Sequence, residues 1–414
     1  MIVLLAAVLA LDSADKGAIS AVAVDVKRDL RIDNAGLGLI VTVVSLVGLL
    51  LTFPAGALVD RVRRLRLLAG SIVLWAVAMV ASATATSYAY LLFTRIALGV
   101  VVAAAGPGVA SLTGDVFEES ERGKIYGYIL TGELVGTGFG VLVAGEVTAL
   151  TSWRWSFAVL AIPALVLATV LWRTPEPTRR TIDRHGESDH PSLTPWQAVR
   201  RVLSVRTNIL LIIASATGYF FFSGLRTFAL VYARGHFGLG QASASALIPI
   251  LGGGAVVGVL VGGRLADRLQ RRGRRAARVM IGAASPIIAA AILVPGFLLS
   301  SLVPAVILFT VAGVALGAAN PAIDAARLDI MPSWLWGRAE SVRTVLRTAG
   351  EAVAPVTFGA FAGWFAGPSE QGLQVTFLVM LVPLALSGVV LWRARRSYPD
   401  DAAAASADDE REAI

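Results

Sequence analysis

Long apolar runs, each closed by a short cluster of charged, glycine or proline residues, organise this chain from its first residue almost to its last. A helix rises 1.5 Å per residue and the hydrocarbon core of a bilayer is about 30 Å thick, so about 20 apolar residues make one crossing. Counted this way, the pattern predicts twelve helical spans, near 1–25, 36–59, 67–86, 88–114, 123–148, 155–173, 206–234, 241–266, 278–299, 301–328, 339–366 and 371–393. The first begins at Met1 with no polar lead-in, which leaves its true start open.

The charges between the runs give an orientation. Arg61, Arg63, Arg64 and Arg66 fall between spans 2 and 3. Arg268, Arg271, Arg272, Arg274, Arg275 and Arg278 fall between spans 8 and 9. Arg173, Arg179, Arg180, Arg184, Arg200 and Arg201 fall between spans 6 and 7. Basic loops stay on the cytoplasmic side, and all three lie on one side if both termini are cytoplasmic. Lys27, Arg28 and Arg31 after span 1 are the exception, offset by Asp25, Asp29 and Asp33.

Residues 174–205 read as a linker between the halves 1–173 and 206–394. It is polar and proline-containing at first. From Ser192 to Val205 it becomes a short amphipathic helix, with Trp196, Val199 and Val202/Leu203 on one face, suited to the membrane surface. The acidic, alanine-rich residues 395–414 read as a disordered cytoplasmic tail.

Composition agrees with lipid as solvent. Of 414 residues, 56% are hydrophobic and 15% charged, and mean hydropathy is +0.73. A soluble domain needs more charge to cover its surface. With no cysteine, disulfides and thiolate metal sites are excluded. His185 and His190 sit in the polar linker and read as solvated, so no metal is expected. The net charge of +8 would suggest nucleic acid in a soluble chain. Here topology accounts for it, and no nucleic-acid partner or cofactor is expected. Met1–Ala10 lacks the basic start of a signal peptide.

The most specific feature is a repeat. Gly56-Ala57-Leu58-Val59-Asp60-Arg61 ends span 2, and Gly263-Arg264-Leu265-Ala266-Asp267-Arg268 ends span 8, each followed by further arginines. Two copies at matching places in two halves are far stronger than one. Glycine permits close helix approach. An aspartate at a membrane edge suits the positive end of another helix, and the arginines suit carboxylates at neighbouring helix ends. Asp115 and Asp329 end spans 4 and 10. The motif resembles that of the major facilitator superfamily, and the resemblance covers nearly the whole chain. It implies an all-α membrane protein of twelve helices in two six-helix bundles. It also implies cytoplasmic gate clusters: Gly56, Asp60, Arg61, Asp115 and Arg122 in one half, and Gly263, Asp267, Arg268 and Asp329 in the other.

Charge inside the membrane is costly and usually functional. Spans 3, 6, 9 and 12 have essentially none, whereas span 1 carries Asp12, Asp15 and Lys16. Arg95 lies in span 4, Glu133 in span 5, Arg226 in span 7 and Asp324 with Arg327 in span 10. Span 11 carries Arg343, Arg347 and Glu351 at i, i+4, i+8 on one face. The superfamily places the uncharged set outermost and the others around a central cavity. A buried guanidinium requires a carboxylate. Asp15 is the preferred partner of Arg95 and Glu133 the second choice, which would make these three the proton-coupling group. Asp12, Lys16, Arg226, Asp324, Arg347 and Glu351 are the candidate substrate-cavity residues. A permanent interhelical pair that only fixes packing is the plainer reading of Arg95. Glycines crowd span 5 (Gly132, Gly136, Gly138, Gly140) and span 8 (Gly252, Gly253, Gly254, Gly258). They are expected to let these two spans slide at the junction of the halves. Gly106-Pro107-Gly108 is expected to kink span 4.

Within the superfamily, Asp15-Lys16, Asp115-Val116-Phe117 with Glu121-Arg122, and Gly136-Thr137-Gly138-Phe139-Gly140 resemble the Spinster branch. Val102 stands where that branch commonly has a glutamate. The resemblance implies Asp15 and Arg95 as the coupling pair and a lysophospholipid-like or other amphiphilic substrate. The expected function is therefore secondary active transport of a small organic or amphiphilic solute by alternating access, coupled to protons. The expected form is a monomer in contact with membrane lipid, in a bacterial-type inner membrane. The alternatives are a multidrug exporter, an uncoupled facilitator and a transporter-like sensor. No Gly-rich nucleotide loop and no nucleophile–base pair point to an ATP-driven pump or a membrane enzyme.

Overall fold

The computed structural model describes residues 1–116, 119–177, 195–332, 335–366 and 370–412. Among them are fifteen α-helices and no strands. Seven helices, forming six spans of which the fourth is broken, make the first half: α1 (Ile2–Leu30), α2 (Asn34–Arg61), α3 (Arg64–Ala83), α4 (Tyr88–Val102), α5 (Ala105–Val116), α6 (Glu119–Leu150) and α7 (Trp153–Arg173). After α8 (Pro195–Ser204) come α9 (Arg206–Phe237), α10 (Gln241–Arg271), α11 (Ala277–Leu298), α12 (Leu302–Asp329), α13 (Trp336–Ala366) and α14 (Glu370–Trp392). The chain closes on α15 (Tyr398–Glu412). The helices match the twelve spans, with α4 and α5 together forming the fourth.

Among the described residues ten of the spans are long and apolar enough to cross a bilayer. The two that fall short by composition are α1 and α13, which carry the Asp12/Asp15/Lys16 and Arg343/Arg347/Glu351 groups. The expected break in span 4 lies at Ala103–Ala104. Pro107, in the first turn of α5, has no N–H for the carbonyl of residue 103, and its ring crowds that carbonyl.

The described residues fall into two compact units. The first holds Met1–Asp183, Gly224–Ile248 and Ala352–Leu373, and the second holds Arg184–Ser223, Pro249–Glu351 and Gln374–Ile414. In the first unit α1 packs most extensively on α6. Gly132, Gly136 and Gly140 lie against the backbones of Ala6, Ala10 and Ala14, where any Cβ would overlap a carbonyl oxygen. The α6 glycines therefore serve packing within one half, not the sliding contact expected between spans 5 and 8. Those two spans meet further along, where Gly145 closes on Ser245. The α10 stripe is also spent within its own half: Gly254 and Gly258 lie against the Thr310 and Val314 backbones of α12.

The first unit also contains the ends of α9, α10 and α13 farthest from the arginine-rich loops. Gly38 of α2 lies on Pro355 and Gly359 of α13 on Asn34. Thr42 Oγ1 accepts a 3.2 Å bond from the Val356 N–H. Near this end Arg154 donates to Asp29 at 2.6 Å and Trp153 Nε1 donates to the same oxygen at 3.0 Å. These bonds, Arg154 first, hold the Asp29 carboxyl below its usual range. Its contribution to stability is then present above the ordinary carboxylate pKa and is lost as pH falls through the lowered one.

Two features depart from expectation. The tail is helical, because Tyr398 and Ala405 are buried and its Asp401 carboxylate and Tyr398 hydroxyl find partners on the bundle. In α8, Val202 does not share the outer face with Trp196: Val202 is fully buried and Trp196 is 77% exposed. The α6 stripe predicts opposite outcomes at neighbouring glycines. Gly136→Val should destabilise the detergent-solubilised protein by about 1–3 kcal/mol through overpacking. Gly138 has open space beyond its Cα, so Gly138→Ala should be neutral or raise the melting temperature through helix propensity.

Candidate functional site

Asp15 and Arg95 meet at the middle of the first unit. Asp15 lies halfway along α1, and Arg95 lies on α4. Arg95 Nη1 donates to Asp15 Oδ1 at 2.7 Å, with side-chain exposures of 1% and 6%. The Phe157 ring of α7 covers the guanidinium at 4.4 Å. Arg95 Nε and Nη2 are buried and have no acceptor among the described residues. A cavity of about 10 Å³ adjoins the pair, lined by Asp15, Lys16, Ser45 and Arg95 against Ile19 and Ile40. That is room for about one water. One turn away Lys16 pairs with Asp12 at 2.5 Å. Glu133, the second choice for Arg95, is half-buried on α6 beside the glycine stripe.

A second polar seam joins α12 and α13 in the second unit. Arg343 Nη1 meets Asp324 at 2.9 Å, and its Nη2 meets Glu340 at 3.1 Å. Arg327 also pairs with Glu340, and Thr344 Oγ1 donates to it at 3.1 Å. Arg347 stacks over the Tyr219 ring at 4.3 Å. Its Nε is buried with no acceptor among the described residues. The seam thus unites Asp324 and Arg343 and carries Arg347 beside them. Arg226 belongs to the first unit, where its carbonyl accepts a 2.5 Å bond from Ser20 Oγ.

The repeated loop motif is partly visible. The side chains of Asp60, Arg61, Asp115 and Arg122 lie outside the described residues, as do His185 and His190. In that half Arg64 is almost fully buried. It donates to Ser111 at 3.1 Å and lies 3.5 Å from Glu176. Glu176 also accepts from the backbone N–H groups of Arg64 and Leu65 at 2.8 and 3.0 Å. A carboxylate there satisfies the free donors at the start of α3 and complements its dipole. In the other half Asp267 and Asp329 do come together, but through Arg278 and not Arg268. Arg278 Nη1 contacts both oxygens of Asp329 at 2.5 Å, and Nη2 reaches Asp267 at 3.4 Å. Arg268 is exposed. Gly263 approaches Pro321, and Gly56 approaches Pro107, without crowding. The Tyr398 hydroxyl of α15 donates to Asp329 as well. Burial, and then the bond to Asp329, pushes that phenol well above its ordinary range, so it remains a donor.

At the opposite end of the first unit Arg234 of α9 binds Asp25 of α1 at 2.8 Å. It also donates to Gln241 Oε1 at 2.6 Å, and Gln241 Nε2 donates to the Ala21 carbonyl at 2.7 Å. Arg234, Gln241, Glu176 and Tyr398 were not singled out by sequence. Each is an ordinary polar residue near a helix end, and only the fold supplies its partner. Arg278 was visible only as one more loop arginine.

The second-unit cluster separates two neighbouring arginines. Arg278→Gln leaves Asp329 short of its main donor and should destabilise the protein by about 1–3 kcal/mol. Arg268→Gln should stay within about 0.5 kcal/mol. Thermal unfolding in one detergent distinguishes them.

The model of the Major Facilitator Superfamily matches residues 5–310. Protein spinster homolog 1 of Rattus norvegicus is 27% identical over 230 residues, covering 54% of this chain and 43% of the relative. The 4-hydroxybenzoate transporter PcaK of Pseudomonas aeruginosa is 28% identical over 181 residues, covering 43% and 40%. The chain thus spans about two fifths of the length of these relatives. Among solved structures, a bacterial homolog to the human lysosomal transporter Spinster, inward-facing and unoccupied, superposes with a TM-score of 0.83 at 18% identity, covering 97% of each chain. The nucleoside transporter NupG superposes with a TM-score of 0.70 at 11% identity, covering 94% of this chain and 98% of that one. At those identities the superpositions speak for the fold alone. The family match over most of the chain, with the duplicated loop motif and the twelve spans, makes this protein a member of the Major Facilitator Superfamily.

Proposed function

We propose that this protein is a proton-coupled secondary transporter of an amphiphilic, lysophospholipid-like solute, working by alternating access, with Asp15 and Arg95 as its coupling pair. The observation that carries the reading is the buried 2.7 Å contact between these two charges at membrane depth. In this reading the Asp15 carboxylate has either Arg95 or a proton as its partner, and the transport movement decides which. Proton binding and conformation are then linked through one bond. Two Arg95 nitrogens without an acceptor among the described residues, and the adjoining water-sized cavity, supply a polar spot for an arriving proton.

Support for an amphiphilic solute comes from similarity to spinster homologs. The arginine seam on α12 and α13 adds to it, because Arg343 and Arg347 suit a carboxylate or phosphate headgroup. A second reading, transport of a small organic anion, draws on the same seam and on similarity to the 4-hydroxybenzoate transporter. Proton coupling, the both-termini-inside topology and the inner-membrane location rest on the sequence and on this reading.

The test is flux into proteoliposomes under an imposed pH gradient, with lysophospholipids, aromatic carboxylates and hydrophobic drugs as separate probes. Wild type is expected to move the lysolipid, and Asp15→Asn, which keeps an acceptor for Arg95, should lose the gradient-driven part. Equal flux in Asp15→Asn, insensitive to the gradient, would sink the coupling role and leave an uncoupled facilitator. Carboxylate flux without lysolipid flux would favour the second reading.

A further inference from the structure

The carboxylates of the α12–α13 seam are unevenly shared among its arginines. Asp324 and Glu340 both hold Arg343, at 2.9 and 3.1 Å. Glu340 holds Arg327 as well and accepts from the Thr344 hydroxyl. Arg347, one turn beyond Arg343, has no carboxylate within ion-pair distance among the described residues, Glu351 included. Its guanidinium lies instead 4.3 Å from the Tyr219 ring of α9. Its Nε is buried without an acceptor among the described residues, while the residue as a whole is half-buried and can still be reached. Like charge adds to the imbalance, because Arg327 is close enough to be repelled by both Arg343 and Arg347.

An arginine on a membrane span is costly unless it is paired. An aromatic ring offsets only part of that cost. The ring steers the guanidinium but offers it no oxygen, so the N–H fork remains available to one. A phosphate or carboxylate matches that fork with two oxygens at once. The Tyr219 hydroxyl also has no hydrogen-bond partner among the described residues and can donate to the same anion.

We propose that Arg347, steered by Tyr219, is the anion subsite of this transporter. It takes one phosphate or carboxylate group of the solute, while Arg343 and Arg327 hold α12 and α13 together. Of the two arginines that suit a headgroup, the ion pairs thus single out Arg347. The proposal rests on the transport reading, but not on proton coupling or on a lysolipid in particular.

Two measurements on the detergent-solubilised full chain test it, both at equilibrium and without a pH gradient. The first is the melting temperature with no solute added. Arg343→Gln should lower it, because Asp324 and Glu340 lose a partner. Arg347→Gln should leave it unchanged or raise it, because no carboxylate is orphaned. The second is calorimetric binding of oleoyl lysophosphatidylglycerol, of uncharged monooleoylglycerol and of 4-hydroxybenzoate. Wild type should bind the lysolipid more tightly than monooleoylglycerol. Arg347→Gln should weaken the lysolipid about tenfold, the size of one hydrogen bond to a charged group, and leave monooleoylglycerol unchanged. Arg347→Lys should recover only part of the loss, since it keeps the charge without the fork. Tyr219→Leu should weaken the anion about threefold. Arg347-dependent binding of 4-hydroxybenzoate alone would uphold the subsite and make the solute a small carboxylate, against the lysolipid reading. Anion binding that survives intact in Arg347→Gln would overturn the proposal, as would a wild type that binds neither anion. So would a fall in melting temperature in Arg347→Gln as large as that in Arg343→Gln, which would make Arg347 a packing residue.

Discussion

A bilayer offers no water to a polar group, and this constraint runs through the whole molecule. Backbone N–H and C=O groups must bond within their own segment, so the apolar runs have only the helix available to them. Side-chain charges face the same demand, and they meet it by pairing inside the protein. Asp15 and Arg95 are the clearest case: both are almost fully buried, and each lowers the cost of burying the other. Once two spans must meet to satisfy a charge, the packing of their neighbours is constrained as well. Phe157 closes over Arg95, and the glycine stripe of α6 brings Ala6, Ala10 and Ala14 of α1 close enough to position Asp15.

Glycine and charge thus divide the work. Hydrophobic burial cannot drive helices together in lipid, because the lipid is as apolar as the side chains. Close backbone approach and polar contacts take its place. The α6 and α10 stripes supply the first within each half. The Asp15–Arg95 contact and the Arg343 seam supply the second. Both groups sit on the spans with too much charge to read as simple membrane helices, α1 and α13, or touch them directly. A helix that tolerates charge at that depth does so because its neighbours were shaped to receive it.

At the membrane edges the balance changes, because water competes for every charge. There the structure uses helix ends. Glu176 caps α3, Asp401 caps α9, and Asp329 gathers Arg278 and Tyr398 at the end of α12. These contacts tie loops and tail to the bundle without burying an unpaired ion. They also explain why an acidic, alanine-rich tail is helical: its composition suits a free chain, but its Asp401 carboxylate and Tyr398 phenol find a donor and an acceptor already waiting.

Sequence alone determined the parts governed by local composition and period. The twelve spans, the break near Pro107, the duplicated glycine–aspartate–arginine motif and the concentration of charge on spans 1 and 11 are legible because lipid imposes length and polarity residue by residue. The pairing of Asp15 with Arg95 was also legible, since so few carboxylates lie at that depth. What only the tertiary structure decided is the choice among equivalent partners. Six arginines lie between spans 8 and 9, and nothing in their order says that Arg278, not Arg268, bridges Asp267 and Asp329. Nothing local says that Val202 turns inward while Trp196 turns outward, or that Gly132, Gly136 and Gly140 serve α1 while Gly145 meets span 8. Those outcomes depend on which surfaces the bundle brings within a few ångströms, and contact at that range belongs to the fold and not to the spacing along the chain.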